Sequence, residues 1–218
     1  MVKVEKLGNI EGLGNIVSCY APFDEQLKLL EKAGARFPYV MSVEQMACMR
    51  LNGGPLDPAR TCLAPVQAKN SPVILAMVSP LIENPDMAEQ VVHSYRNRNY
   101  FVTKNKNIYD KLYAKAEEDR TKEPEKRRAI ILPEKGNYLI EPDSEEAESI
   151  FRKVQKDYFT KFAKKGVTFY PIREDFVNEQ NGTVINYLWF WGPDDDSGLG
   201  GDDGYLYSST ATLGRLGC

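Results

Sequence analysis

Residues 129–170 read AIILPEKGNYLIEPDSEEAESIFRKVQKDYFTKFAKKGVTFY, and this stretch decides the fold class. Two short runs rich in branched and aromatic residues, 129–132 and 138–140, are typical of strands, and a third closes the stretch at 167–170. Between them, apolar residues recur at helical spacing from 143 to 165, which predicts one long helix. Strands this close in sequence can pair antiparallel, so we predict an α+β fold with a mixed or antiparallel sheet packed against several helices.

The long helix is predicted to begin at Asp143, whose side chain would cap it together with Glu146. Its apolar residues fall on one face, which we expect to be buried: Ala147, Ile150, Phe151, Val154, Tyr158 and Phe162. We expect four lysines to be exposed to water: Lys153, Lys156, Lys164 and Lys165.

Helix and strand signals continue through the rest of the chain. Ser42 followed by Gln45 is a capping box, and it predicts a helix that ends at 52–54. A second helix is predicted at about 107–120, and further strands at 73–78, 183–191 and 204–207. The tetrapeptide Leu-Gly-Asn-Ile occurs twice near the N-terminus, which favours a hairpin or an edge segment over a repeat array.

A polar stretch near residue 125 suggests two parts. Residues 1–125 would form a helix-rich part, with a proline-containing extended connection at 52–70. Residues 126–218 would form an α+β part. The alternative is a single domain, which the length of 218 residues also allows.

Composition places the chain among globular proteins, with 42% hydrophobic and 27% charged residues. The longest apolar run, 73–78, is far shorter than the roughly 20 residues that cross a bilayer. The first residues lack the apolar segment of a secretory signal, so we expect a cytoplasmic protein. Four widely spaced cysteines suggest free, mostly buried thiols: Cys19, Cys48, Cys62 and Cys218.

The commoner hydrolase and NTPase motifs are missing from the sequence, although unusual active sites are not excluded. There is no G-x-S-x-G, H-E-x-x-H or P-loop string, and the single histidine, His93, falls on the polar face of a predicted helix. Enzyme status stays open, and the residues favour a protein that binds without catalysis.

A basic and aromatic segment occupies residues 95–115. Residues 95–128 have a net charge of +5 in a chain whose total is −3. Cations bind phosphates and aromatic rings stack on unpaired bases, so the segment could bind single-stranded nucleic acid. One alternative is that its aromatic rings are buried and its lysines merely solvated, and another is that the segment binds an acidic protein partner. The candidate nucleic-acid contacts are Arg96, Arg98, Tyr100, Lys104, Lys106 and Tyr109.

The C-terminal segment combines aromatic and acidic residues. In a strand, Tyr187, Trp189 and Trp191 would share one face, as either a buried layer or an exposed aromatic platform. Rings beside carboxylates also suit sugar recognition. The following loop, predicted at 194–203, is rich in Asp and Gly and would join strands 183–191 and 204–207.

Carboxylates of that acidic loop could ligate Ca²⁺ or Mg²⁺, although their spacing does not match the ligand positions of an EF-hand loop. The candidate ligands are Asp194, Asp196, Asp202 and Asp203. No other cofactor is expected.

Three functions therefore stay open. The first is a soluble, non-catalytic binding or assembly protein, with an unknown protein partner or self-association and no membrane contact. The second is single-stranded nucleic-acid binding through 95–115. The third is a divalent-metal-dependent enzyme that uses the acidic loop 194–203.

Overall fold

The computed structural model describes residues 3–10, 14–21, 29, 32, 35–56, 58–77, 101–103, 106–133, 135–186, 188–192, 197–201 and 210–216. The predicted helix that carries His93 and the predicted strand 204–207 lie outside these residues.

Helices and strands are mixed along the described chain. The helices are α1 Val43–Leu51, α2 Lys106–Asp119, α3 Glu145–Phe151, α4 Gln155–Phe162 and α5 Glu174–Glu179. The strands are β1 Lys3–Ile10, β2 Gly14–Ala21, β3 Ala35–Val40, β4 Ala59–Arg60, β5 Leu63–Ala68, β6 Ile74–Met77, β7 Phe101–Thr103, β8 Ala129–Ile131, β9 Tyr138–Ile140, β10 Val167–Tyr170, β11 Thr183–Ile185, β12 Trp189–Trp191, β13 Gly198–Gly200 and β14 Thr210–Leu216.

The strands form two sheets. The larger has the order β1-β2-β14-β4-β12-β13-β10-β9, with β3 also paired to β14, and the smaller has the order β7-β11-β5-β6-β8. Most neighbours are antiparallel, while β10 with β13 and β14 with β4 are parallel. The predicted α+β class with mixed or antiparallel sheets is confirmed, and so is the N-terminal hairpin, in which β1 pairs with β2.

The long helical segment is confirmed over Glu145 to Phe162, but it is not one continuous α-helix. A 3₁₀ turn, Arg152–Val154, separates α3 from α4, and Arg152 has a left-handed φ of 50°. As predicted, Ala147, Ile150, Phe151 and Tyr158 are buried and the four lysines are exposed, whereas Val154 and Phe162 are only half-buried.

The predicted cap of this helix is wrong by one residue. Ser144, not Asp143, is the N-cap: its Oγ accepts a hydrogen bond from the Ala147 backbone N–H at 3.1 Å. The backbone of Ser144 is extended, with φ −79° and ψ 155°, which is the geometry that aims a side-chain oxygen at the first turn. The capping box of α1 is as predicted, because Ser42 and Gln45 exchange hydrogen bonds in both directions.

The main core lies where α1, α3 and α4 pack against both sheets. Phe151 is at its centre, with ring centroids 5.2 Å from Tyr158, 4.9 Å from Phe159 and 5.7 Å from Phe190. A second cluster is formed where α2 packs on the smaller sheet through Tyr109, Leu112 and Ala116. No helix among the described residues is long and apolar enough to cross a bilayer.

Two predictions for the strands are corrected. The run 52–70 is not only a connection, because it contains β4 and β5, and Pro65 lies inside β5. The Pro65 carbonyl accepts a hydrogen bond from Asn186 N at 3.3 Å. In an antiparallel pair a residue's N–H points to the same side as its carbonyl, so the N–H that proline lacks would also point towards the segment around Asn186. In that segment the chain leaves the smaller sheet. The predicted strand 183–191 is therefore two strands, β11 in the smaller sheet and β12 in the larger.

Both sheets contain strands from each side of residue 125. In the smaller sheet β8 and β11 pair with β6 and β5, and in the larger sheet β12 pairs with β4. Residue 125 itself lies in a 3₁₀ turn, Pro124–Lys126. A boundary near residue 125 would therefore cut through both sheets.

Candidate functional site

The side chains of β12 alternate between the two faces of the larger sheet. Phe190 points into the main core and is 0% exposed. Trp189 and Trp191 share the opposite face, which we call the outer face. The alternation that the sequence predicts is present in the structure.

Trp191 packs flat against the neighbouring strand β13. The register places Trp191 opposite Gly198, and its indole extends over Gly200 as well. A Cβ built on Gly200 would lie 2.6 Å from Cζ3 of the indole, closer than real Cβ atoms come to a neighbour. Beyond β13, on β10, the Tyr170 ring is stacked beside the indole, with centroids 5.5 Å apart and planes inclined by 29°.

The presence of β13 corrects the prediction of one acidic loop over 194–203. Gly198–Gly200 is a buried strand that pairs antiparallel with β12 and parallel with β10. Glycine is depleted in strands, so its abundance here favoured a loop. In this strand the glycines make room for the Trp191 indole, which is the close approach that strand glycines often mark.

A groove of about 520 Å³ opens above this aromatic pair. It is lined by Lys135, Gly136, Asn137, Tyr170, Pro171, Ile172, Arg173, Glu174, Trp191 and Gly200. Leu139 on β9 is paired with Thr168 on β10. Thr168 lies two residues before Tyr170, so Leu139 is on the same face of the sheet as Tyr170 and extends the apolar surface. Tyr170 is 36% exposed, so the apolar floor of the groove is accessible from solvent, and Leu139 beside the groove is 47% exposed.

The rim of the groove is polar. Lys135 and Asn137 are exposed on the segment before β9, and Arg173 and Glu174 are exposed at the start of α5. The Arg173 Nε lies 3.6 Å from an Oδ1 of Asp175, an exposed pair that stabilises little. An accessible aromatic floor surrounded by hydrogen-bonding and charged groups has the composition of a ligand-binding site.

Trp189, on the same face, is in a different environment. Its indole is 9% exposed, and the guanidinium of Arg60, itself 0% exposed, lies 4.8 Å from the ring centroid. Of the predicted aromatic platform, Trp191 lines the groove, Trp189 is buried beside it, and Tyr187 lies outside the described residues.

The predicted nucleic-acid contacts are only partly described. Arg96, Arg98, Tyr100 and Lys104 lie outside the described residues, and Lys106 is the first residue of α2. The fully described member of the set, Tyr109, is 8% exposed, and its hydroxyl donates to the Pro72 carbonyl at 2.8 Å. Burial raises the pKa of Tyr109 to about 12. Its ring therefore belongs to the core and presents no free face to a base.

The predicted metal ligands Asp194, Asp196, Asp202 and Asp203 all lie outside the described residues. Within the part of the chain that the structure describes, no three His, Cys, Asp or Glu side chains cluster as metal ligands would. Three of the four cysteines, Cys19, Cys48 and Cys62, are described, and none of the three forms a disulfide. Burial raises the pKa of Cys62 to about 11, which makes it a poor nucleophile.

The sequence analysis did not predict four residues that line the groove, which are Lys135, Tyr170, Arg173 and Gly200. It also did not predict Gly198, which lies against the Trp191 indole. One signal was available for the glycines. Gly198 and Gly200 flank an apolar residue with the period of a strand, and glycine at that period marks a position that another group approaches closely. Nothing local to Tyr170 could indicate a partner 21 positions away in the sequence.

Comparison with known protein families and with curated proteins gives no match. Among solved structures, one described as "Accommodation of massive sequence variation in Nanoarchaeota by the C-type lectin fold" superposes with a TM-score of 0.57. The alignment covers 95% of this chain and 98% of that chain. This chain is similar to it in fold. The sequences are 9% identical, so the likeness to the C-type lectin fold concerns the backbone path and carries no residue of the groove.

Proposed function

We propose that this protein is a non-catalytic binding protein and that the groove above Trp191 and Tyr170 is its recognition surface. The observation that carries the proposal is the stacked Trp191–Tyr170 pair, which lies on a glycine strand at the floor of an open groove. Accessible rings at the floor of a groove gain binding energy when a ligand covers them, since apolar surface leaves water.

The similarity to the C-type lectin fold supports a division between a framework that sets the backbone and a surface whose side chains can vary. The solved structure is described as accommodating massive sequence variation by this fold. In this chain the inner face of β12 and β13 is packed in the core, while the groove residues rest on the outer face. Side chains of the outer face could thus be chosen for a ligand without repacking the core.

The polar rim indicates which polar groups a ligand would carry. Lys135, Asn137, Arg173 and Glu174 offer donors and acceptors of both charge signs around the apolar floor. Such a rim fits a ligand that places a ring or apolar group on the indole and polar substituents at the edge. A surface group of a partner protein and a sugar both meet this description.

Fluorescence of Trp191 provides the test. The chain has two tryptophans, so Trp189→Phe leaves Trp191 as the sole indole and keeps an aromatic ring beside Arg60. We expect one class in a panel of neutral oligosaccharides, acidic and basic peptides and single-stranded oligonucleotides to shift the emission and protect it from acrylamide.

Two exposed leucines supply a matched comparison. Leu139 beside the groove is 47% exposed, and Leu56 after α1 is 45% exposed. Leu139→Ser should weaken binding of the ligand found in the panel, while Leu56→Ser should leave it unchanged. The proposal fails if no panel member protects Trp191, or if both leucine variants bind equally well.

The same panel separates the other functions that the sequence leaves open. An oligonucleotide that binds with a steep salt dependence but does not protect Trp191 would favour a nucleic-acid site at 95–115. A melting temperature that rises with Ca²⁺ or Mg²⁺ would favour a metal site at 194–203.

A further inference from the structure

We infer that Gly198 and Gly200 are positioning residues: they hold the Trp191 indole flat against β13, and this pose restricts the groove to ligands that present a flat ring face. The inference rests on the proposed function of the groove and adds the chemistry of what the groove takes.

The steric requirement comes from the indole, not from the backbone. Neither Gly198 nor Gly200 has a left-handed φ, so other residues could adopt their backbone conformation. A Cβ on Gly200 would lie 2.6 Å from Cζ3 and 2.9 Å from Cη2 of Trp191, and a Cβ on Gly198 would contact Cζ2 and Cε2 more closely still. Either methyl group would therefore displace the ring.

The position of β13 in the sheet explains how the ring is held. The strand is paired on both sides, by β12 and by β10, so it lies in the interior of the larger sheet. Its middle residue, Leu199, is 0% exposed and packs in the main core. On the outer face the strand has no side chain at either end, which leaves a channel one strand wide. Trp191 covers this channel from one side and meets Tyr170 at the other.

This pose determines what the groove can bind. One face of the indole is turned to the glycines, so the ring contributes a face, together with Tyr170, to the floor of the groove. A raised indole would instead fill the groove with its edge. The ligand portion that fits a ring face is itself flat: the C–H face of a sugar ring or the face of an aromatic ring. Both kinds of ligand would make the same contact, in which a flat ring face packs on the face of the indole.

The pose is tested without any ligand. In the Trp189→Phe background, we expect Gly198→Ala and Gly200→Ala each to change the near-UV circular dichroism of Trp191 and to raise its acrylamide quenching constant about twofold. Gly136→Ala is the control for the pose. Gly136 lines the same groove, but no atom lies within 4 Å of a Cβ built on it, so Trp191 should not move.

A double substitution covers the case in which the alanine variants fold poorly. If the new methyl group collides with the indole, Trp191→Ala should relieve most of the stability lost in Gly200→Ala, as a double-mutant cycle measures. Unchanged Trp191 spectra in both glycine variants, or a loss of stability that Trp191→Ala does not relieve, would overturn the positioning role.

Ligand selectivity is measured with two probes, cellotriose for the sugar face and N-acetyltyrosinamide for the aromatic face. We expect the probe that binds the parent chain to lose at least tenfold in affinity in Gly200→Ala. A changed pose with affinity within twofold of the parent would overturn the restriction to flat ligands. Protection of Trp191 only by panel peptides that carry no aromatic residue would also overturn it, whereas a panel with no ligand at all would overturn the proposed function.

Discussion

The two faces of β12 and β13 differ in how their side chains are held. On the inner face, Phe190 and Leu199 are each 0% exposed and enclosed by the main core. On the outer face, the Trp191 indole is supported by two glycines and one neighbouring ring, and it is partly open to solvent. The same strands therefore serve two purposes: the inner face holds the fold together, and the outer face shapes a surface.

A buried arginine strengthens the inner side of this comparison. Arg50 of α1 is 1% exposed, with its guanidinium 4.1 Å from the centroid of the Phe190 ring. Its Nη1 donates to the Tyr158 hydroxyl at 3.1 Å and its Nη2 to the Phe190 carbonyl at 3.0 Å. These bonds connect α1, α4 and the backbone of β12. These hydrogen bonds hold the strand that carries Trp191 from its inner side, so substitutions of the solvent-exposed side chains on the outer face should act on binding more than on folding.

The largest effect is expected on the inner face. Phe151→Ala removes the ring at the centre of the core and should lower the free energy of unfolding by about 3–5 kcal/mol. Urea denaturation measures it. A loss below about 1 kcal/mol would mean that the inner face does not stabilise the fold, and the difference between the inner and outer faces would not hold.

Acid should lower the free energy of unfolding through Asp119, a carboxyl group that is not part of the groove. Asp119 at the end of α2 is fully buried, with its Oδ1 2.6 Å from Lys122 Nζ and its Oδ2 accepting from Arg128 N at 2.8 Å. Burial alone would raise its pKa, but the hydrogen bonds from Lys122, Arg128, Lys115 and Ala129 outweigh burial and hold it at about 2, below the ordinary 3.8.

Since the pKa of Asp119 is lower in the folded state, its contribution is present above about pH 4 and is lost as the pH falls towards 2. The difference is worth about 2 kcal/mol. Asp119→Asn should therefore lose about this much stability at pH 6 and show a flatter acid limb than the parent. If the two chains lose stability in parallel between pH 4 and 2, Asp119 is not the group that titrates.

The helix cap gives an intermediate effect and separates two neighbouring residues. Ser144→Ala removes the Oγ that accepts from Ala147 N and should cost about 1 kcal/mol. Asp143→Ala, at the position that the sequence pattern favoured, should cost less, since it is not the cap. Thermal melts of the two variants compare them directly, and a larger loss in Asp143→Ala would contradict the assignment of the cap.

The smallest effect on stability is expected on the outer face. Leu139→Ser should change the free energy of unfolding by about 0.5 kcal/mol or less, as is usual for exposed positions. Leu56→Ser, with nearly the same exposure, should do the same. A loss of several kcal/mol in Leu139→Ser would show that the outer face is part of the folding core after all.

Local patterns were sufficient for several features of the fold. The capping box at Ser42 and Gln45, the buried stripe through Ile150, Phe151 and Tyr158, and the alternation within β12 depend on residues within a few positions of each other. The exact cap at Ser144 and the turn at Arg152 were missed, because side chains one residue apart compete for a cap and periodicity does not register a break in a helix.

The sequence by itself determined the α+β class, the helices over 43–51, 106–119 and 145–162, and the opposite directions of Phe190 and Trp191. Only the tertiary structure decided that 183–191 divides between two sheets, that Gly198–Gly200 is an interior strand, and that Tyr170 meets Trp191. The physical reason is the range of the interactions. Helix periodicity, capping and strand alternation are set by neighbours along the chain, whereas strand pairing and the groove depend on contacts between segments far apart in sequence, and these exist only once the chain has packed.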